Sequence, residues 1–483
     1  MAVVRIALTA VVVLALLVGV HRYLWRRFVG DTTTEGSTLR TVGTVAAYLL
    51  PLLSVGALVS GRAGAPFWLQ RVLAWPGYLW LAALLYLTLA LLVGEVVRPV
   101  LRRVLAHRAS GPDGATATRV PAPGTAGTTE SATTAAAAAG TTESATTAAA
   151  TAENAGAAGS TGTESATTAG AATAGDAGAT ITGDTLVASA SASATAPVAV
   201  APAPSRPADP TRRLFVARAV GGAAAVAGLG TVGHGTYGVL RGPRVERITV
   251  PLAKLPRSAH GFRIAVVSDI HLGPILGRAH TRRIVDTINR TQPDLVAVVG
   301  DLVDGTVADL GPAAEPLARL SARRGSYFVT GNHEYYSGAA QWIDQVRELG
   351  LHPLENARVE IDGFDLAGVN DIAGQSEGQG PDFAAALGDR DRSRAAVLLA
   401  HQPVVIHEAV AHGVDLQLSG HTHGGQLWPG NLVAELANPT VAGLDRYGDT
   451  QLYVSRGAGA WGPPVRVGAP SDITVVELAS RQA

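Results

Sequence analysis

Five short clusters of acidic, amide and imidazole residues follow one another in the second half of the chain. Each comes directly after a short apolar run that is typical of a β-strand. The clusters are Asp269-Ile270-His271, Gly300-Asp301-Leu302-Val303-Asp304, Gly331-Asn332-His333-Glu334, His401, and Gly420-His421-Thr422-His423. Carboxylate, amide and imidazole groups bind divalent transition metals, and a set of them can hold two metals side by side. The sequence therefore predicts a metal site at the ends of several strands.

The clusters differ in how specific they are. Asp269 and His271 are two positions apart, so both side chains face the same way in an extended segment, but such a pair can also cap a helix. Gly300-Asp301 alone can be an ordinary turn. The strongest single signal is the pair His421 and His423, two imidazoles at alternate positions beside several glycines. A solvated loop without function is the alternative for this pair.

The order of the clusters resembles that of the calcineurin-like metallophosphoesterase superfamily, and in particular its bacterial transmembrane branch. The family pattern is D-x-H, G-D-x-x-D, G-N-H-[DE], a lone His, and G-H-x-H, and all five blocks are present in that order. The resemblance covers about residues 245–480. It implies an α/β fold, in which two mixed β-sheets are flanked by helices as an αββα sandwich.

The resemblance also implies two divalent metal ions, either Mn, Fe or Zn, and assigns their ligands residue by residue. One metal is assigned to Asp269, His271, Asp301 and His423. The second metal is assigned to Asp301, Asn332, His401 and His421. Asp301 is then the bridging carboxylate, whose negative charge offsets the repulsion between two dications.

Two further residues receive catalytic roles from the resemblance. His333 is the candidate for protonating the leaving alkoxide or stabilising the transition state, and Asp304 is expected to orient this histidine. The alternative for Asp304 is an ordinary surface turn residue. Arg456 and Arg466 lie in a later Gly/Pro-rich loop, where they could contact a substrate phosphate or serve packing.

The elements that must position these residues alternate between strands and helices, which favours an α/β domain. Helices are predicted at residues 281–291 and 339–349, and a hairpin at 358–361 and 364–369, with its turn at Asp362-Gly363. The strands that deliver the clusters are predicted at residues 262–268, 295–299, 327–330, 396–399 and 414–418. Further strands are predicted at residues 452–455 and 473–478. Strand ends are the usual place for sites in such folds.

The composition limits the chemistry. The 483 residues include no cysteine, so disulfides and thiolate metal ligands are excluded, and the formal net charge is +0. A balanced charge gives no indication of a nucleic-acid partner, and none is expected.

The first hundred residues contain three apolar runs, at about 3–20, 41–60 and 72–93. Each is close to the ~20 residues that cross a bilayer, so residues 1–108 are predicted to form a membrane region with three transmembrane helices. The alternatives are buried helices of a soluble bundle and, for the first run, a cleaved signal peptide. The arginines that follow the first run, without a small-residue cleavage site, argue against a signal peptide.

The middle of the chain reads as a linker. Residues 109–210 are rich in Ala, Thr, Gly, Ser and Pro, a composition that predicts disorder because it buries too little surface to offset ordering entropy. An Ala-rich helix at 135–139 and a glycosylated stalk are the alternatives. Residues 211–240 begin with Thr211-Arg212-Arg213-Leu214-Phe215-Val216, and are either a twin-arginine-like signal anchor or a fourth transmembrane helix. Residues 245–480 form the metallophosphoesterase domain.

Together these features predict a membrane-anchored, dinuclear metal-dependent phosphoesterase acting on a phosphodiester or a pyrophosphate. Some members of the resembled family cleave the pyrophosphate of UDP-diacylglucosamine, and the anchor favours a lipid-linked phosphate-ester substrate. A phosphomonoesterase or nucleotidase is the alternative within the class, and a non-catalytic metal-binding membrane scaffold is the alternative outside it. The distribution of arginines predicts a cell-membrane protein whose catalytic domain is extracytoplasmic.

Overall fold

A computed structural model describes residues 2–109 and 210–481. Residues 110–209, which hold nearly all of the predicted linker, lie outside the described residues. The helices are α1 Ala2–Trp25, α2 Thr38–Ser60, α3 Phe67–Ala109, α4 Pro210–Leu240, α5 Arg278–Arg290, α6 Val307–Ala314, α7 Asn332–Ser337, α8 Ala339–Glu348, α9 Phe383–Leu387, α10 Ile406–Ala411 and α11 Gly430–Ala437.

Twelve strands are described, and they form two six-stranded sheets. They are β1 Arg244–Leu252, β2 Phe262–Val267, β3 Leu295–Val299, β4 Ser326–Val329, β5 His352–Pro353, β6 Ala357–Ile361, β7 Phe364–Gly368, β8 Ala395–Leu399, β9 Leu416–Ser419, β10 Gly443–Tyr447, β11 Thr450–Val454 and β12 Asp472–Ser480. The strand orders are β1-β12-β2-β3-β4-β5 and β10-β11-β9-β8-β7-β6. Both sheets are mixed, because β12 runs antiparallel to β2, and β10 and β6 run antiparallel to their neighbours.

The two sheets pack face to face, with helices on both outer faces. Ile264 and Val266 of β2 point into the core between the sheets, whereas Ala265 and Val267 point toward the helices beside the first sheet. This alternation is the two-residue period of a strand, and both faces are apolar because both are covered. Helices α5 and α8 cover the first sheet, and α9 and α10 cover the second. The predicted αββα sandwich is confirmed.

Three helices of the described residues are long and apolar enough to cross a membrane, judged by length and composition: Thr38–Ser60, Phe67–His107 and Thr211–Leu240. They cross one another closely at glycines. A Cβ at Gly77 of α3 would lie 2.7 Å from the Ala57 Cβ of α2, and one at Gly228 of α4 would lie 3.0 Å from the Leu87 backbone nitrogen. Small residues at helix crossings are typical of membrane bundles.

Candidate metal centre

The polar clusters meet at one edge of the sandwich, because each follows the carboxyl end of a strand. Asp269, Asp301 and Asn332 follow the neighbouring strands β2, β3 and β4 of the first sheet, and His401 and His421 follow β8 and β9 of the second. The backbone turns sharply at these points. Five residues of the clusters adopt a positive φ of 49–71°, namely Asp269, His271, Asp301, His421 and His423. Such conformations cost non-glycine residues about 1–3 kcal/mol each and concentrate at functional sites.

Two groups of candidate ligands lie side by side. In each group the ligand atoms lie within 4.8 Å of one another; the first is Asp269, His271 and His423, and the second is Asp301, His401 and His421. The Oδ2 atom of Asp301 lies between the groups, 3.1 Å from His401 Nε2 and 3.8 Å from His271 Nε2. Asn332 joins the second group, since its Oδ1 is 3.1 Å from His421 Nδ1. The structure thus brings together all seven metal ligands that the sequence suggested.

The imidazoles of two of these histidines are held in the tautomer that binds a metal. The Nδ1 of His401 donates to the Val299 carbonyl at 2.9 Å, and the Nδ1 of His271 donates to Asp304 at 2.8 Å. Each Nε2 therefore faces the centre and is the atom that would bind a metal. Burial alone would lower the pKa of both rings, but the nearby carboxylates outweigh it, so the pKa of His271 rises to about 9 and that of His401 well above its usual value. His401 Nε2 is buried and has no hydrogen-bond partner among the described residues. Carboxylates that attract a positive charge to these buried nitrogens fit a divalent metal ion.

His423 differs, because Arg466 donates to its Nδ1 at 3.0 Å. The neutral ring then carries its proton on Nε2, which lies 3.0 Å from His271 Nε2. Burial, then the charges of His271 and Arg466, hold the pKa of His423 well below its usual value. A metal in the first group would require His423 to give up the Nε2 proton.

Arg466 therefore supports the candidate ligand His423. It is buried, and its other donors bond the carbonyls of Gly459, His423 and Ala469. Arg456 lies within hydrogen-bond reach of Asp472. The burial and the backbone contacts of Arg466 agree with the packing alternative.

Asp304 and His333 lie beside the first group. Asp304 Oδ1 accepts from His333 Nδ1 at 2.7 Å as well as from His271. Burial alone would raise the pKa of Asp304, but the two histidines outweigh it and lower that pKa to about 2. His333 is also near enough to form a ligand group with His271 and Asp301.

Glu334 has a role that the sequence did not assign. Its buried carboxylate accepts from the backbone N–H groups of Asp301, Leu302 and Gly331. Burial, and then the charge of Asp301, raise the pKa of Glu334 to about 7. Glu334 ties the loop that carries Asp301 to the loop that carries Asn332. Glu334 is three residues after the N-cap residue Gly331, and a Glu at this position often bonds the backbone at the start of a helix. This pattern could have indicated its role.

A cavity of about 270 Å³ lies beside the centre. Its walls include His271, Asp304 and His333. They also include Arg62 and Tyr78, which belong to the hairpin formed by α2, α3 and the turn between them. His333 also has ring contacts with Tyr336, at 5.5 Å between centroids, and Trp461, at 5.8 Å. No pattern in the sequence predicted that the first hundred residues would border the centre.

Comparison with known proteins gives one family. Residues 262–425 match the family described as calcineurin-like phosphoesterase. A transmembrane protein with metallophosphoesterase domain from Danio rerio is 39% identical over 259 residues, which are 51% of this chain and 59% of that protein. An uncharacterized metallophosphoesterase of Helicobacter pylori is 38% identical, covering 52% of this chain and 68% of that protein. One from Aquifex aeolicus is 36% identical, covering 49% and 91%.

The chain spans 59% and 57% of the length of the vertebrate relatives it matches. Among solved structures, a dimetal phosphatase from Danio rerio is similar over 46% of this chain and 93% of that chain, with 14% identity and a TM-score of 0.33.

Proposed function

Because the chain belongs to the calcineurin-like metallophosphoesterase family, we propose that it is a membrane-anchored phosphoesterase with two divalent metal ions. The observation that carries this proposal is the position of Asp301 between two groups of ligands. One metal would be held by Asp269, His271, Asp301 and His423, and the other by Asp301, Asn332, His401 and His421. Mn, Fe and Zn all accept such oxygen and nitrogen ligands.

Paired metals of this kind lower the pKa of a bound water and stabilise the charge of a phosphoryl transition state. The protein's own residues fix the ligands. Val299 and Asp304 hold His401 and His271 through their Nδ1 atoms, and Glu334 holds the backbone on both sides of the centre. Ligands held in this way need little rearrangement to bind, which is the usual role of such supporting contacts.

His333 is the proposed general acid. Asp304 accepts from its Nδ1, so an ionised carboxylate orients the ring. The protonated ring can then donate from Nε2 to the leaving oxygen of the substrate.

The proposed substrate is a phosphodiester or a pyrophosphate, and we propose a lipid-linked one, such as the UDP-diacylglucosamine class. Two features support a membrane-borne substrate: the helices suited to crossing a bilayer, and the cavity that their hairpin shares with the centre. The cavity lies beside the proposed metal ligands and could hold one of the two groups that are esterified to the substrate phosphate.

The test is hydrolysis of bis(p-nitrophenyl) phosphate by the full chain in detergent, with Mn²⁺, Fe²⁺ and Zn²⁺ compared. Asp301→Ala should lower the rate by at least ~10²–10³, the usual loss when charge stabilisation of a transition state is removed, and should lower the bound metal. Asp344→Ala, which removes an exposed carboxylate of α8, is the control. Full turnover and unchanged metal content in Asp301→Ala would contradict the two-metal proposal. Comparison with p-nitrophenyl phosphate distinguishes a diesterase from a monoesterase.

A further inference from the structure

A group of large apolar side chains lies exposed on the catalytic half of the chain. Its members are between 44% and 87% exposed, and we call them the α11 patch: Trp428, Leu432, Val433, Leu436 and Leu444. Single exposed apolar residues are common on soluble proteins, but a cluster of this kind marks an interaction surface.

The patch is built on one face of a short helix. Leu432, Val433 and Leu436 lie within about 100° of one another around the axis of α11, whereas Asn431 and Glu435 point away from that arc. Among the described residues, none of the α11 side chains is buried. The apolar residues of this helix therefore do not serve the core of the sandwich.

The patch is continuous with helices suited to crossing a membrane. Tyr86 of α3 donates to the Trp428 carbonyl at 2.9 Å. Leu427, next to Trp428, packs against a cluster that includes Leu87 of α3 and Val232 of α4. Both α3 and α4 are candidate membrane spans. The patch therefore lies beside helices that lipid is expected to surround.

We propose that the α11 patch inserts into the bilayer that α3 and α4 cross. Its apolar side chains then face lipid, as the sides of these helices do. The occupant is lipid and not a second copy of the chain, because the patch starts at the sides of the spanning helices. This proposal does not depend on the catalytic activity.

The absence of cysteine from the 483 residues allows a direct test. The full chain carrying L436C is labelled with a nitrobenzoxadiazole fluorophore and reconstituted into vesicles of phosphatidylcholine and phosphatidylglycerol. Lipids with a nitroxide on the acyl chain should lower the emission at least about two-fold, because a label on an inserted apolar face lies among the acyl chains. V433C tests the same face independently.

E360C is the matched control. Glu360 is an exposed residue of β6, at the opposite edge of the sheet that ends in β10. Five strand spacings of about 4.8 Å separate these edges by ~24 Å. The label at this position should respond to iodide in water and not to the lipid nitroxide.

Two results would overturn the proposal. Labels at positions 436 and 433 that are quenched by iodide as strongly as the control, with no effect of lipid nitroxide, would place the patch in water. Crosslinking of L436C to a second copy by a short bis-maleimide, again without lipid quenching, would make the patch an interface between copies.

Discussion

Asp304 accepts hydrogen bonds from two imidazoles at once, His271 at 2.8 Å and His333 at 2.7 Å. One of these rings is a proposed metal ligand and the other is the proposed general acid. A single ionised carboxylate therefore orients both, and a change at Asp304 would disturb metal binding and proton transfer together. This coupling makes His333 the cleaner position at which to test the acid role.

Replacing His333 with Ala should leave the metal content unchanged and slow hydrolysis of diesters by roughly 10²–10⁴, the usual contribution of general acid catalysis. The loss should shrink for substrates with very acidic leaving groups, because these need little protonation. Rates across a series of substituted phenyl diesters measure this, with His407→Ala, at an exposed histidine, as the control. The same loss for every leaving group would argue against the acid role.

His280 of α5 predicts how stability depends on pH. It is buried, and no acidic side chain pairs with it among the described residues. Burial, then the charges of Arg283 and Arg466, lower the pKa of His280 to about 3. Between this value and the ordinary value of 6.5, the unfolded chain binds a proton that the folded chain does not. Stability is therefore fully present above about pH 6.5 and falls as the pH is lowered toward 3.

The free energy of unfolding should depend on pH by up to about 1.4 kcal/mol per pH unit because of His280. In His280→Leu this contribution should disappear. Thermal unfolding midpoints of the full chain in detergent at pH 4–7 measure it, and His352→Gln, at an exposed histidine, is the control. An unchanged pH dependence in His280→Leu would mean that the folded chain takes up the proton without loss.

At the scale of elements, the centre depends on strand-end loops that approach one another closely. A Cβ at Gly420 would overlap Ser268 Oγ and Asp269 Oδ2, and a Cβ at Gly331 would overlap Asp301 Oδ1. The glycines of the clusters thus allow the loops of the two sheets to meet.

Gly420→Ala should therefore displace Asp269 and its loop, with loss of most bound metal. Gly277→Ala is the matched control, because a Cβ there meets no atom within 4 Å. Metal analysis of the purified full-length variants measures the difference. Normal metal content in Gly420→Ala would show that the loops can separate without cost.

The five strands that deliver the clusters were predicted because each is a nearly continuous apolar run, buried on both faces of its sheet. Strands β1 and β10 were not predicted. Both lie at sheet edges and are largely exposed, so their polar side chains give no clear pattern, and their pairing depends on β12 and β11. Helix α11 was not predicted either, because its apolar residues do not face the core.

The candidate ligands could be predicted because each cluster is local in sequence. The contacts that support them are not local. Glu334 reaches the loop of Asp301 across 33 positions, and Arg466 reaches His423 across 43. The cavity beside the centre is lined by residues still farther apart in the chain, such as Arg62 and His333. Such contacts follow from the folded arrangement and leave no pattern in a short window.

At the scale of the whole molecule, α3 relates the centre to the arginine-rich end of the helices. Phe67 borders the cavity, and Arg98, 31 residues farther along the same helix, lies near Asp31 and Glu95. These residues are about 46 Å apart along an ideal helix, more than the ~30 Å hydrocarbon core of a bilayer. The centre and the arginine cluster are therefore expected on opposite faces of the membrane.

We expect the catalytic domain outside the cytoplasm, because arginines concentrate at the other end of the helices. They are Arg22, Arg26, Arg27, Arg98, Arg102, Arg103, Arg108, Arg212 and Arg213. Alkaline phosphatase fused after Ala483 should be active in intact cells, and green fluorescent protein exported there by the Sec route should be dark. The reverse pattern, with the domain protected from added protease, would place the centre inside.

If the substrate is lipid-borne, as proposed, the position of the cavity beside α2 and α3 decides which concentration of substrate sets the rate. An enzyme whose cavity opens beside its own membrane helices meets a lipid-borne ester by diffusion in two dimensions. For such an ester, turnover follows its mole fraction in the bilayer, so added inert lipid slows the reaction by surface dilution although the molarity in the suspension is unchanged. The rate of hydrolysis of a diester dissolved in water does not change when inert lipid is added.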